Sequence, residues 1–340
     1  MQVSVIGLDL AKRTFQVHGV DRDGKVVLRR KLRRTEVLAF FSSLDPCLIG
    51  MEACATAHYW AREIAAFGHD VRLIPPGYVK PYVKRQKNDA ADAEAICEAV
   101  SRPSMRFVGI KSVEQQSLLM LHRARDLLIR QRTMTANAIR AHLAEFGLVA
   151  AQGMNGLSEL IDAVLNDEIS LMPFAKTALV SLIEQYAGLL RQARAIEKQL
   201  LVWHKSNEAS RRLETIPGIG PIAATALVAT IPDAKSFSSG RRLAAWIGLV
   251  PRQNSSGGKR RLGRITKQGE PYLRRLLVVG AAAVMRRCET NGSGLGPWIV
   301  GLRGRRPGMV AVVALANKIA RIVWAVLTKD EVYEPRAIPS

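Results

Sequence analysis

VSVIGLDLAKRTFQVHGVDRDGKVVLRRKL, residues 3–32, decides the fold. Two runs rich in apolar and β-branched residues, 3–9 (VSVIGLD) and 14–20 (TFQVHGV), flank a short polar break. A third run, 25–32, follows Asp21-Arg22-Asp23-Gly24, whose Asp and Gly suit a hairpin turn. Three antiparallel strands are therefore expected to open the chain. Working outward, the pattern predicts a helix over 35–44, a buried strand over 47–52 (CLIGME), a helix over 56–67, a strand over 70–75 and helices over 77–85 and 89–100.

The order βββαβαβα is that of a ribonuclease H-like mixed sheet, in which the first and fourth strands lie side by side and parallel. Asp9 ends the first strand and Glu52 the fourth, so both carboxylates are expected at one sheet edge. Asp89 and Asp92, three apart in KNDAADAEA, share a helix face that can pack beside that edge. Four carboxylates gathered in this way could hold Mg²⁺ for phosphodiester chemistry. A plainer reading exists for one pair: acids in a first helical turn are also favoured by capping and the helix dipole. Tyr78, Lys80, Tyr82 and Lys84, just before the paired aspartates, are read as a partly exposed helix.

Composition narrows the partners. The chain has 340 residues, 48% hydrophobic and 23% charged, which is globular, and its 50 Lys and Arg against 29 Asp and Glu leave a formal net charge of +21. Such an excess attracts polyanions. Cys47, Cys54, Cys97 and Cys288 form no CxxC pair, so a structural zinc site and a disulfide framework are not indicated. The N-terminus does not read as a signal peptide, and the apolar stretch 308–327 is interrupted by Asn317, Lys318 and Arg321, so it is expected as a packed helix. A cytoplasmic, nucleoid-associated setting without membrane partners fits these features.

Three domains are expected: 1–105, carrying the carboxylates; 113–205, helical; and 208–335, mostly α-helical. In the middle region, Met120, Ala124, Leu127, Met134, Ala138 and Ala141, and Leu179, Ile183, Tyr186, Leu190, Ala193 and Leu200, follow heptad-like spacing. That suggests an antiparallel or intermolecular coiled coil. Two ordinary amphipathic helices fit as well, since Gln131 and Glu197 interrupt the seams. Residues 147–174 are expected as a connection that is flexible or carries a short helix.

TIPGIGPIAATALVATI, residues 215–231, has the form of a helix-hairpin-helix, whose turn at Gly218 and Gly220 would offer main-chain N–H groups to a nucleic-acid backbone. A helix start with Pro221 at an early position is the plainer alternative. From 235 to 275 there are eleven Lys or Arg against the single acid Glu270. Lys259, Arg260, Arg261, Arg264, Lys267, Arg274 and Arg275 are candidate phosphate-neutralising groups. Ser255 and Ser256 sit among them ahead of Gly257 and Gly258. Ser-Ser-Gly-Gly is on its own most often a loop.

Taken together, IGLDLAK, GMEA, KNDAADA, IPGIG and GLVPRQNSSGGKRRLGRITKQGEPYLRRLL resemble the DEDD transposases of the insertion-sequence 110 family, including its 1111 subgroup, over nearly the whole chain. The resemblance implies a RuvC-like domain with a tetrad at Asp9, Glu52, Asp89 and Asp92, a coiled coil, and a transposase domain with a serine nucleophile, taken as Ser256. It also implies Mg²⁺, donor and target DNA as substrates, a dimer or tetramer, and guidance by a noncoding bridge RNA. A hydrolytic RuvC-like nuclease or junction resolvase, with Ser256 only binding phosphate, is the competing enzymatic reading. A non-catalytic nucleic-acid-binding scaffold is the third.

Overall fold

The computed structural model describes residues 2–84, 88–259, 261–287 and 296–334. The chain divides into two compact units, Met1–Glu114 with Ile231–Ser236, and Gln115–Thr230 with Phe237–Ser340. The helical middle and the C-terminal region thus belong largely to one unit.

The first unit runs β1 (Val5–Asp9), β2 (Thr14–Val20), β3 (Val26–Arg33), α1 (Val37–Ser42), β4 (Leu48–Glu52), α2 (Ala57–Ala65), β5 (Asp70–Ile74), α3 (Pro76–Val79) and α4 (Asp89–Val100). Its sheet has the order β3-β2-β1-β4-β5, with β1 antiparallel to β2 and parallel to β4. The expected adjacency of the first and fourth strands is therefore present. Asp21 closes the β2–β3 turn by accepting the amides of Asp23 and Lys25 on its Oδ1, and Gly24 takes a positive φ. The predicted helix over 77–85, of which residue 85 lies outside the described residues, is instead α3 plus a 3₁₀ turn over Lys80–Tyr82, because Pro81 supplies no N–H to continue an α-helix.

Period-two alternation sends Ile6, Leu8, Phe15, Val17, Ile49 and Met51 to one face, where they pack with Phe41, Trp60 and Ile64 of α1 and α2. The opposite face carries Gly7 and Gly50 and receives α4. A Cβ on Gly7 would lie 2.1 Å from the Ala93 carbonyl oxygen, and one on Gly50 would lie 2.7 Å from Cβ of Val100. The two glycines let α4 settle directly onto the strand backbones. This close approach sets where the N-terminus of α4 stands relative to the ends of β1 and β4.

The second unit contains α5 (Val113–Ala144, entering from the first unit), α6 (Met154–Leu165), α7 (Pro173–Ser206), α8 (Glu208–Glu214), α9 (Pro221–Thr230), α10 (Gly240–Trp246), β6 (Pro251–Gln253), β7 (Leu262–Ile265), α11 (Pro271–Arg287), α12 (Gly296–Arg303) and α13 (Gly308–Lys329). The long helices α5 and α7 run antiparallel. Leu118 meets Leu200 near one end, with Arg125 and Glu197 paired at 2.6 Å, and Ile139 and Leu143 join Leu179 and Ile183 at the other, closed by Leu157, Leu160 and Val164 of α6.

The seam expected on α5 is displaced. Met120, Leu127 and Met134 are 68%, 47% and 69% exposed, while Leu118, His122, Thr135, Ile139 and Leu143 face inward. The neighbours of α5 lie along the adjacent stripe, where an ion pair and two polar side chains interrupt the apolar pattern that the heptad count follows. On α7 the expected Leu179, Ile183, Ala193 and Leu200 are buried, and Leu189 joins them. Among the described helices, α13 is the one long and apolar enough to span a bilayer, yet Leu315, Ile319, Ala320 and Val323 are buried against its neighbours in this unit. Cys47 and Cys97 are buried thiols, pushed by burial to about 11, and Cys54 is exposed; Cys288 lies outside the described residues.

Candidate active site: a carboxylate edge and a serine hairpin

Register places the acids. Leu8 pairs with Met51 across the parallel β1–β4 ladder, so Asp9 and Glu52 follow as neighbours at the strand ends, both half-buried and both on the α4 face. Asn88 caps α4 by accepting the Ala91 amide at 2.8 Å, which starts the helix at Asp89 and leaves Asp89 exposed and Asp92 half-buried. Asn88 supplies the cap, and Asp89 and Asp92 both lie in the first turn, where the plainer helix-dipole reading also places acids.

Electrostatics show that Asp9 feels the other three acids. Burial, and then repulsion from Asp92, Asp89 and Glu52, push the Asp9 carboxyl from 3.8 up to about 6, against a stabilising hydrogen bond from the Leu10 amide. This is the signature of negative charge concentrated in a place that water screens poorly. Among the described residues no three His, Cys, Asp or Glu side chains form a ready-made metal site. By donor type the tetrad fits a hard divalent cation, since every donor is a carboxylate oxygen and a cation would relieve the repulsion on Asp9.

The Ser-Ser-Gly-Gly segment is not a loose loop. It turns a hairpin between β6 and β7: Gly257 and Gly258 take φ of 54° and 74°, Lys259 N–H donates to the Ser256 carbonyl at 3.0 Å, and Ser256 and Lys259 face each other in a bridge. Positive φ at both central residues is the two-residue turn that matches strand twist, which explains the glycine pair. The two serines differ. The Ser255 Oγ accepts the Arg261 amide at 3.1 Å, whereas the exposed Ser256 hydroxyl has no hydrogen-bond partner among the described residues.

The candidate cations separate in the same way. Lys259, Arg261, Arg264 and Lys267 are exposed on or beside the hairpin, and Arg260 lies outside the described residues. Arg274 instead donates to the carbonyls of Ile247 and Gln268, at 2.8 and 3.0 Å, and holds the loop before α11; Arg275 is ion-paired with Asp126. Gly218, at φ 90°, packs backbone to backbone on Gly280 of α11, while Gly220 opens outward. A groove of about 2180 Å³ within this unit is lined by Arg264 and Lys267, by Arg241 of the basic run, by Lys318 and Arg321, read from the sequence only as breaks in an apolar stretch, and by Lys329. The Lys318 ammonium sits 4.3 Å from the Trp298 ring centre. Lys318 and Arg321 interrupt an apolar helix, and that interruption is the signal that could have found them.

Comparison with known proteins shows the family. A family model described as Transposase, for the DEDD domain of IS110-type proteins, matches residues 6–147, and one described as Transposase IS116/IS110/IS902 family matches residues 210–293. The first span contains all four carboxylates and the second contains the serine hairpin. The chain is 50% identical to the "Probable family 20 transposase" of Pseudomonas aeruginosa, covering 98% of this chain and 100% of that protein. The chain belongs to the IS110 family of insertion-sequence transposases. It is 42% identical to the transposase for insertion sequence element IS1111A of Coxiella burnetii, over 97% of this chain and 91% of that one. At 23% identity over 83% of this chain and 81% of the relative, it is also similar to the "Pilin gene-inverting protein" of Moraxella bovis. As an IS110 transposase the protein is a DNA-recombining enzyme, and its DEDD domain implies a divalent metal.

Proposed function

We propose that this transposase cleaves and exchanges DNA strands through a covalent phosphoserine intermediate formed on Ser256, with Mg²⁺ as the metal. The observation that carries the reading is the joint presence of a carboxylate set, in which burial and then repulsion from the other three acids raise Asp9 to about 6, and a serine whose exposed hydroxyl has no partner among the described residues on a two-glycine turn. Asp9, Glu52, Asp89 and Asp92 would hold Mg²⁺, which when bound supplies activation of the attacking hydroxyl and stabilisation of the departing oxygen. In the cleavage step the Ser256 Oγ–P bond forms, the bond from phosphorus to one sugar oxygen breaks, and the serine proton is passed on so that the departing sugar leaves as a hydroxyl. The ester keeps the phosphodiester bond energy, so a second hydroxyl can displace Ser256 without ATP.

Lys259, Arg260, Arg261, Arg264 and Lys267 neutralise phosphate near the exchange point in this reading, and α8, its turn and α9 act as a helix-hairpin-helix, with Gly220 as the more accessible glycine. The paired α5 and α7 supply the coiled coil. The three-domain division 1–105, 113–205 and 208–335 remains the functional partition we favour. Bridge-RNA guidance, and a dimer or tetramer able to hold donor and target together, complete the proposal; the net charge of +21 supports the RNA partner only in kind.

The test is a denaturing gel of end-labelled DNA carrying the element's termini, incubated with protein, Mg²⁺ and copurified RNA. A protein-linked band that vanishes with Ser256→Ala is expected. Cleavage without any linked band, retained in Ser256→Ala, would establish the hydrolytic nuclease instead. Sequencing the copurified RNA tests guidance: one enriched structured species is expected, and bulk degraded RNA alone would remove that part.

A further inference from the structure

Across the α4 face of the sheet, register aligns residues from four strands into two rows. One row reads Glu52, Asp9, Gln16, Lys31; the next reads Gly50, Gly7, His18, Arg29. The first row therefore runs from the acidic edge to a basic one, and Asp9 and Lys31 are two inter-strand steps, roughly 10 Å, apart. At its basic end a pocket of about 350 Å³ opens between β2, β3 and the start of α4, lined by Gln16, His18, Arg29, Lys31, Asn88 and Glu94.

Three features make this pocket more than a gap. Glu94 is held by Lys84 at 2.6 Å, whereas neither Arg29 nor Lys31 has an ion-pair partner among the described residues. His18 is only 5% exposed, lines the pocket and has no hydrogen-bond partner among the described residues. The amide of Ala90, in the first turn of α4, is likewise uncapped, because Asn88 takes the Ala91 amide. Two cations without an ion pair among the described residues, one buried imidazole and a helix start therefore line one pocket, which is large enough to admit a phosphate group.

We infer that this pocket is a phosphate subsite, which seats a non-scissile phosphodiester of the strand processed at the carboxylate edge and so sets its register there. Arg29 and Lys31 supply charge, and His18 is a positioning residue that donates one N–H. Burial, with Arg29 and Lys84 opposing Glu94, keeps the His18 imidazole below its ordinary pKa, so it serves as a neutral donor. The inference rests on the proposed role of the carboxylates as the reaction centre and names the substrate contact beside them.

The test uses full-length Asp9→Asn protein in EDTA, in which cleavage and part of the carboxylate repulsion are removed. Polarisation of a short labelled single strand, as DNA and as RNA of the same sequence, is followed over a salt series. Adding Arg29→Gln and Lys31→Gln should make the log K against log salt slope shallower by ~1.4 and weaken binding about tenfold at low salt. Arg22→Gln with Lys25→Gln, which removes two charges from the distant β2–β3 turn, should change the slope by less than half as much. His18→Leu should weaken binding several-fold, and His18→Gln, which keeps a donor, should restore most of it. A larger effect on the DNA arm assigns the subsite to the processed strand; an effect on RNA alone overturns that assignment. Equal slopes for both double variants and the parent would overturn the subsite itself. These readouts need neither Ser256 nor metal: loss of the phosphoserine adduct with an intact slope difference sinks the recombination mechanism alone, and the converse sinks the subsite alone.

Discussion

The carboxylate edge and the serine hairpin are built on opposite principles. Asp9, Glu52, Asp89 and Asp92 come from three elements, and parallel strand pairing plus two glycines under α4 bring them within electrostatic reach. Ser256 owes its position to its immediate neighbours: two glycines, one main-chain hydrogen bond and one bridge. The first site holds repelling charge at a half-buried sheet edge, and the second displays an exposed hydroxyl on a short ribbon. Damage to packing should therefore silence the first site, and damage to turn geometry the second.

The largest effect expected from this contrast is at the nucleophile. Ser256→Ala should lower adduct formation by at least about 10³-fold, while Ser255→Ala, which loses only an acceptor for the Arg261 amide, should stay within ~10-fold. Equal losses in single-turnover assays would erase the distinction drawn between the two hydroxyls. Next in size is Gly7→Ala. Its methyl would meet the Ala93 carbonyl, so a destabilisation of about 2–3 kcal/mol in urea unfolding of the first unit is expected. Unchanged stability would mean that α4 is not seated by close approach.

Asp9 offers a test in which function and stability move in opposite directions. A carboxyl raised from 3.8 to about 6 binds its proton more tightly in the folded state, so its unfavourable contribution develops as pH rises through that interval and is complete above about 6. Solvent screening leaves about 1–2 kcal/mol of the possible effect. Asp9→Asn should therefore abolish cleavage yet stabilise the metal-free protein at pH 7.5, with little gain at pH 4. His122, held down to about 4 mainly by burial, contributes pH dependence of the opposite sign, and comparing variant with parent cancels it. A variant less stable than the parent at pH 7.5 would show that Asp9 is not under repulsion. The smallest change is expected for Gly257→Ala, where an L-residue must take φ near 54° at a cost of about 1 kcal/mol. Adduct formation should slow several-fold with global stability almost unmoved, because the turn is exposed.

Much of the first unit could be read in advance because its signals are local and periodic. Alternating β-rich runs, the Asp-Gly turn and the helical pattern of 89–100 gave the order of elements, the adjacency of the first and fourth strands and the extent of α4. The sequence reading failed where partners decide. Met120, Leu127 and Met134 keep heptad spacing but face outward, since a helix cannot announce which of two adjacent stripes its neighbours will cover. Arg274 and Arg275 looked like free cations, yet one braces two carbonyls and the other pairs with Asp126. Gly7 and Gly50 passed unnoticed, because a glycine in a strand gives no sign of the helix that will lie on it.

By itself the sequence determined the strand and helix order of the first unit, the family, the acidic residues at two strand ends and the excess of positive charge, all of which depend on residue type and short-range spacing. The tertiary structure alone decided that Asp9 is repelled by three acids distant in sequence, that His18, Arg29 and Lys31 share a pocket on the same sheet face, and which serine is left without a partner among the described residues. Those properties follow from distance and burial across segments far apart in the chain, where Coulomb forces and desolvation act irrespective of sequence separation.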